Sequence, residues 1–257
     1  MITHSRHHFA AIIPARYASS RFPGKPLAMI GSKTMIERVY EQASKAVELV
    51  YVATDDQRIL DAVTKFGGKA VMTSKDHFSG TDRCAEAVDT IMKITGQKID
   101  IVLNVQGDEP FIQPEQIILL KECFNDDSVS IATLIRKTLP GEDLFNPNHV
   151  KVVTDNKGNA IYFSRSVIPY CRGIDPEKWS LEYTFYKHLG LYAYKTDILK
   201  SITKLSKGIL ESAESLEQNR WLENGYSIRT SVTDHESLSI DTPGDLERAL
   251  KLNDKIF

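Results

Sequence analysis

Phe9-Ala10-Ala11-Ile12-Ile13-Pro14 is a short unbroken apolar run, and a polar stretch bearing Gly and Pro, Ala15–Pro26, comes directly after it. A run this short and apolar reads as a buried strand. The elements beyond it decide the fold class. Thr34-Met35-Ile36-Glu37 has the spacing of a capping box. Behind it Met35, Ile36, Val39, Ala43 and Val47 share one helical face. Val50–Ala53 is the next strand. Asp55 or Asp56 caps a helix carrying Ile59, Leu60 and Val63, which Gly67-Gly68 stops. Ala70–Met72 is a third strand, Thr81–Lys93 a helix with Cys84, Val88 and Ile91 inward, and Asp100–Val105 a fourth strand. This alternation predicts an α/β fold: a mixed, mainly parallel sheet with helices on both faces. Ligands of such sheets sit at the carboxyl ends of the strands. This sequence puts two polar clusters there, Ala15–Pro26 and Gln106–Pro110.

The second half changes character. Val129–Ile135 and His188–Tyr194 read as strands. Lys151–Thr154 and Ala160–Ser164 flank Asp155–Asn159 as a hairpin. Ser215–Glu223 reads as a helix, and a last helix opens at Thr242-Pro243, with Thr as N-cap and Pro at the first helical position. A strand is expected just before Asp241. Neither a repeat nor a low-complexity linker interrupts the chain. The expectation is one domain over residues 9–257, with an inserted hairpin arm at about 150–190 and a mobile tail at 1–8.

The 257 residues are 42% hydrophobic and 26% charged, enough for a core without a metal or disulfide staple. Lys and Arg number 32 against 34 Asp and Glu, a net charge of −2, which argues against nucleic acid as a partner. No apolar run approaches the roughly 20 residues of a membrane helix, and the first residues lack the apolar stretch of a signal peptide. No membrane insertion and a cytoplasmic location are therefore expected. Cys84, Cys123 and Cys171 form no CxxC, and the seven histidines form no HExxH, so a zinc ribbon and a zincin are out.

Four motifs carry chemistry. In Ala15–Pro26, Arg16, Arg21 and Lys25 surround Gly24. Arginine forks and a lysine point charge suit phosphate oxygens, and glycine admits close backbone approach. The loop is neither a Walker A motif nor GxGxxG; the bland alternative is a solvated basic loop. In Gln106-Gly107-Asp108-Glu109-Pro110, Asp108 faces the same rim, and Mg²⁺ is typically held by one or two carboxylates plus substrate phosphates. Asp241, in Ile240-Asp241-Thr242-Pro243, fits a second metal ligand or an ordinary acid at a helix start. Asp76–Arg83 opens a helix, whose free N–H groups favour anions or polar base edges, with Arg83 placed to donate to a carbonyl. A scattered set, Arg165, His188, Tyr192, Glu217 and Gln218, gives no signal by itself.

AIIPARYASSRFPGKPL (11–27), SGTDR (79–83), LNVQGDEPFI (103–112), FNPNHVKVV (145–153), YFSRSVIP (162–169), KHLGLYAY (187–194), LEQNRWLENG (216–225) and IDTPGDLER (240–248) occur in this order. Together they resemble the 3-deoxy-manno-octulosonate cytidylyltransferases, the CMP-Kdo synthetases. The resemblance implies a nucleotide-diphospho-sugar transferase-like, Rossmann-like three-layer fold. It implies transfer of CMP from CTP to 3-deoxy-D-manno-octulosonate (Kdo) with release of pyrophosphate, Mg²⁺ as cofactor, a role in lipopolysaccharide biosynthesis, and a homodimer joined through the arm. It assigns Arg16, Ser19, Lys25, Arg83 and Gln106 to the nucleotide and Asp108 and Asp241 to the metal. Arg165, His188, Tyr192, Glu217 and Gln218 go to the sugar acid, and Arg16, Lys25 and Asp108 carry the catalysis. Three positions depart from the family pattern: Asp82 for Glu, Asn219 for an apolar residue and Lys187 for Arg.

In the mechanism so implied, the anomeric hydroxyl attacks the α-phosphorus in line and pyrophosphate leaves, with positioning and charge neutralisation dominating the catalysis. Metal at Asp108 and Asp241 lowers the pKa of the hydroxyl, and no general base is evident. Rival readings are a cytidylyltransferase for 8-amino-Kdo or sialic acid, and a non-catalytic nucleotide-binding module. The second predicts loss of a metal acid; both acids are present.

Overall fold

The computed structural model describes residues 7–19, 21–236 and 238–253. Its elements begin β1 (Phe9–Ala15), β2 (Met29–Ile30), β3 (Lys33–Thr34), α1 (Met35–Ala46), β4 (Leu49–Thr54), α2 (Gln57–Lys65), β5 (Ala70–Met72), α3 (Gly80–Thr95), β6 (Ile101–Asn104) and α4 (Pro114–Cys123). They continue with β7 (Ile131–Lys137), β8 (Lys151–Thr154), β9 (Ala160–Ser164), α5 (Trp179–Glu182), β10 (Tyr186–Lys195), α6 (Thr196–Ile202), α7 (Ile209–Glu214), α8 (Glu217–Glu223), β11 (Ile228–Val232) and α9 (Pro243–Asn253). The strand pairs are mainly parallel, with antiparallel pairs at β8, and helices cover both faces, as the alternation predicts. The chain divides into two compact units, one within residues 1–118, 193–203 and 237–257, the other 119–192 and 204–236.

In the first unit β6-β1-β4-β5 run parallel. β1 pairs with β4 along its length, from Ala10 opposite Leu49 to Ala15 opposite Thr54. Against β6 it pairs only from Phe9 to Ile12. The Val105 N–H donates to the Ile12 carbonyl, so Ile12 turns its polar groups toward β6. Pro14, two residues on, faces the same side and has no N–H to offer, so the ladder stops. The ladder thus ends where a parallel sheet places its ligand crevice.

Caps set the helix starts. The Thr34 hydroxyl accepts from the Glu37 N–H at 3.3 Å, and Asp56 accepts from the Arg58 N–H at 3.0 Å. At α3 the Ser79 hydroxyl accepts from the Asp82 N–H at 3.1 Å, while Asp82 accepts from the Ser79 N–H at 3.2 Å. The shorter acid at 82 therefore completes a reciprocal box. His8 is tied to the head of β6: its N–H donates to Asp100 at 3.0 Å and its carbonyl accepts from the Asp100 and Ile101 N–H groups. Residues 1–6 of the expected tail lie outside the described residues.

In the second unit β11 runs parallel to β7, while β8 pairs antiparallel with β10 and with β9, forming the expected hairpin. Leu144, just before the arm, packs with Trp179 and Phe185 of the arm in a small apolar core. Asn219 is fully buried. Its Nδ2 donates to the Phe163 carbonyl at 2.9 Å and its Oδ1 accepts from the Phe163 N–H at 3.4 Å. Among the described strands β9 pairs only with β8, so this amide stands in for a second neighbour. Lys187 joins a mostly buried ion group, its Nζ 2.9 Å from Glu236 and 3.5 Å from Glu142, which Arg136 also holds.

Two expectations are corrected. The helix read over Ser215–Glu223 starts at Glu217, because Ser215 takes a left-handed φ of 54° as the cap of α7. The stretch before Asp241 is not a strand; the preceding strand, β11, ends at Val232. Helices α4, α6 and α7 go beyond what the apolar spacing predicts.

Candidate active site

The loop after β1 is held by its own main chain. The Gly24 N–H donates to the Tyr17 carbonyl at 3.0 Å, and Gly24 adopts a φ of 71°, which a side chain would strain. Phe22 packs with Ile30, Met35 and Ile240, so the same apolar cluster fixes the loop and the residue before Asp241. The Ile240 N–H donates to the Asp108 carbonyl at 2.9 Å. At Gly107 a Cβ would stand 2.9 Å from the Pro14 carbonyl oxygen, so only glycine lets the loop after β6 lie this close to β1.

These contacts bring remote charges to one point. Lys25 Nζ donates to Asp108 Oδ2 at 2.6 Å and to Asp241 Oδ1 at 3.3 Å. Arg21 lies 3.1 Å from the same Asp241 oxygen. Around them is a cleft of about 320 Å³. Every expected nucleotide and metal residue lines it: Arg16, Ser19, Lys25, Arg83, Gln106, Asp108 and Asp241. Arg21, His77 and Phe78 line it as well. The sequence reading counts Arg21 among the phosphate-suited cations of the loop but assigns His77 and Phe78 no role, although both lie inside one of its motifs.

Arg83 is buried, and its fork is committed: Nη1 to the Thr73 hydroxyl at 2.5 Å and the Ser74 carbonyl at 3.2 Å, Nη2 to Asp55 at 3.0 Å. Of these contacts, the one to the Ser74 carbonyl is to the chain's own backbone. His77 is hydrogen-bonded through Nε2 to Glu86, which also accepts from the Ser74 N–H at 2.9 Å. Burial pushes the Glu86 carboxyl up, but these bonds outweigh it and hold the group below the usual carboxylate range.

Two carboxylates converging on one cation fit a divalent ion completed by substrate phosphates. No group of three or more metal-ligating side chains occurs among the described residues. Asp108 and Asp241 are thus the pair that suits such an ion.

The expected sugar residues lie in the second unit. His188 Nε2 is 3.0 Å from the Thr133 hydroxyl, and its ring meets Phe163 edge-on at 5.0 Å and Tyr192 at 5.2 Å. Burial lowers the His188 pKa to about 3, so the imidazole is neutral at pH 7. Burial, then the charge of Glu217, pushes the Tyr192 hydroxyl well up. Glu217 accepts from Arg220 at 2.8 Å, and Gln218 is buried. Arg165 is spent on main-chain carbonyls: Nε to Glu214 at 2.7 Å, Nη1 to Pro147 at 3.1 Å and Nη2 to Ser215 at 3.5 Å.

The cytidylyltransferase family profile matches residues 10–231. The 3-deoxy-manno-octulosonate cytidylyltransferase of Parabacteroides distasonis is 55% identical over 246 residues, covering 94% of this chain and 96% of its own. That of Bacteroides thetaiotaomicron is 56% identical over 244 residues, covering 94% and 96%. Among solved structures, CMP:2-keto-3-deoxy-manno-octonic acid synthetase complexed with CTP superposes with a TM-score of 0.87 at 41% identity, over 97% of this chain and all of the other. The chain belongs to the 3-deoxy-manno-octulosonate cytidylyltransferase family.

Proposed function

We propose that this protein transfers CMP from CTP to Kdo, releasing pyrophosphate and supplying CMP-Kdo for lipopolysaccharide biosynthesis. The observation that carries the reading is the convergence of Arg16, Arg21 and Lys25 with Asp108 and Asp241 in one cleft at the strand carboxyl ends. Cationic forks and a lysine beside a carboxylate pair suit a metal-bound triphosphate.

Arg16 and Lys25 neutralise the charge that grows on the leaving pyrophosphate. Ser19, Gln106 and Arg83 orient the nucleoside. Arg83 does so from a fixed position, because Asp55 and Thr73 already lock its fork. Asp108 and Asp241 would hold Mg²⁺, which would supply positive charge beside the phosphates and acidify the attacking hydroxyl. His188, neutral, donates or accepts one hydrogen bond to a sugar hydroxyl and carries no charge to the sugar carboxylate. Tyr192, Glu217 and Gln218 add hydroxyl, carboxylate and amide groups suited to a polyhydroxy acid. Arg165 shapes that wall, with its fork on the carbonyls of residues 147, 214 and 215.

We assign the working form to a homodimer joined through the arm, where Tyr170, Leu181 and Tyr183 leave apolar surface exposed. We place the enzyme in the cytoplasm. In support, no helix among the described residues is long and apolar enough to cross a membrane, and Cys84, Cys123 and Cys171 are free thiols. The deciding experiment measures pyrophosphate release from CTP and Mg²⁺ with Kdo, 8-amino-Kdo and sialic acid side by side. Release with Kdo is expected. Preference for another acid would reassign the sugar, and release with none would remove the catalytic reading.

A further inference from the structure

Phe78 is 97% exposed, an unusual position for a phenyl ring, yet it lines the nucleotide cleft. Its neighbours are both pinned. His77 is bonded to Glu86, and Ser79 is locked in the reciprocal cap of α3. The backbone that presents Phe78 is therefore fixed while the ring touches water. The rest of the cleft wall is charged or polar apart from Pro14, Ala15, Pro26 and two glycines. Phe78 supplies its hydrocarbon ring. It has no charge for a phosphate and no hydrogen bond for a sugar, so what it recognises is a flat face. Of the parts of a nucleoside triphosphate, only the base has one.

We propose that Phe78 is the stacking residue for the base of the bound nucleotide, covering the base beside Ser79 and Arg83. This rests on the nucleotide reading of the cleft and adds a base-holding element to it: the ring holds any pyrimidine face, and the polar groups of the cleft read its edge. Base–aromatic stacking tolerates every base because each has a π-face. Truncating the ring should therefore weaken cytosine and uracil nucleotides by the same factor.

The test is titration calorimetry of the full chain with Mg²⁺ and, in turn, CTP, UTP and inorganic tripolyphosphate. Phe78→Ala is expected to weaken CTP and UTP by about 5- to 150-fold alike, the change that the usual worth of one stacked base converts to. Tripolyphosphate, which has no base, should bind unchanged, and Phe78→Trp should restore CTP. Ile94→Ala, which trims another exposed apolar residue, on α3, serves as the control and should leave all three unchanged. Equal CTP binding by wild type and Phe78→Ala overturns the proposal, and so does an equal loss of tripolyphosphate. A wild type that binds tripolyphosphate but holds CTP no tighter also overturns it. A wild type that binds neither removes the nucleotide reading itself.

Discussion

Lys25 Nζ stands 2.6 Å from Asp108 Oδ2, and the same ammonium reaches Asp241 at 3.3 Å. One lysine thus bridges the two carboxylates that suit a metal, and Arg21 shares Asp241 with it. Lys25→Met should lower the melting temperature of the metal-free protein, because the acids are left to repel one another. Mg²⁺ should restore more of that loss in the variant than it adds to wild type, since the ammonium no longer competes. Charge-assisted hydrogen bonds are worth about 1.5–3 kcal/mol, so kcat/KM for CTP should also fall by about 10- to 150-fold. Thermal melts with and without Mg²⁺, alongside initial rates, check both.

Asp108→Ala tests the metal pair directly. A metal's charge stabilisation is worth several kcal/mol, so turnover at saturating Mg²⁺ should drop about 100-fold or more. Near wild-type turnover would show that Asp108 is not a ligand.

The buried imidazole of His188 makes stability depend on pH. Its folded pKa is lowered to about 3 from 6.5, so the unfolded chain takes up a proton that the folded chain refuses. Above pH 6.5 both states are neutral and the group adds no pH dependence. Between pH 6.5 and 3 stability should fall by up to about 1.4 kcal/mol per pH unit from this site. His188→Asn should flatten that part of a urea-denaturation profile; an unchanged slope would mean that the imidazole titrates normally in the folded protein.

Arg165→Ala removes three bonds to main-chain carbonyls. The expected result is a lower melting temperature and a KM for Kdo raised more than that for CTP. Equal KM effects would detach Arg165 from the sugar.

Asn219→Leu keeps the branched side-chain shape but strands the Phe163 N–H and carbonyl. Each buried unsatisfied group costs about 1–3 kcal/mol, and guanidinium denaturation should report a loss of that order. Asn219→Gln, longer by a methylene in a filled site, should not rescue it.

The cleft is legible in the sequence because its parts announce themselves locally. Arg16 and Lys25 sit in the loop that follows one short apolar run and Asp108 in the loop that follows another, and Gly24 and Gly107 mark where main chain must turn or approach. The capped starts at Thr34, Asp56, Ser79 and Thr242 are legible for the same reason, since a cap and its partner lie within four residues. What escapes the sequence depends on distance. Asp55 as the partner of Arg83 and Phe163 as the partner of Asn219 lie 28 and 56 residues away. The neutrality of His188 comes from burial, which no single residue encodes. Ser215 delays the start of an expected helix to Glu217, because a left-handed serine is rare enough that pattern alone does not predict it.

Pro14 has a last consequence. Because it offers no N–H toward β6, the ladder past Ile12 lacks a bond in any conformation. The crevice is written into covalent structure, like a zipper with a tooth removed. A nucleotide arriving there has no strands to pry apart, so its binding energy remains available for orienting phosphates.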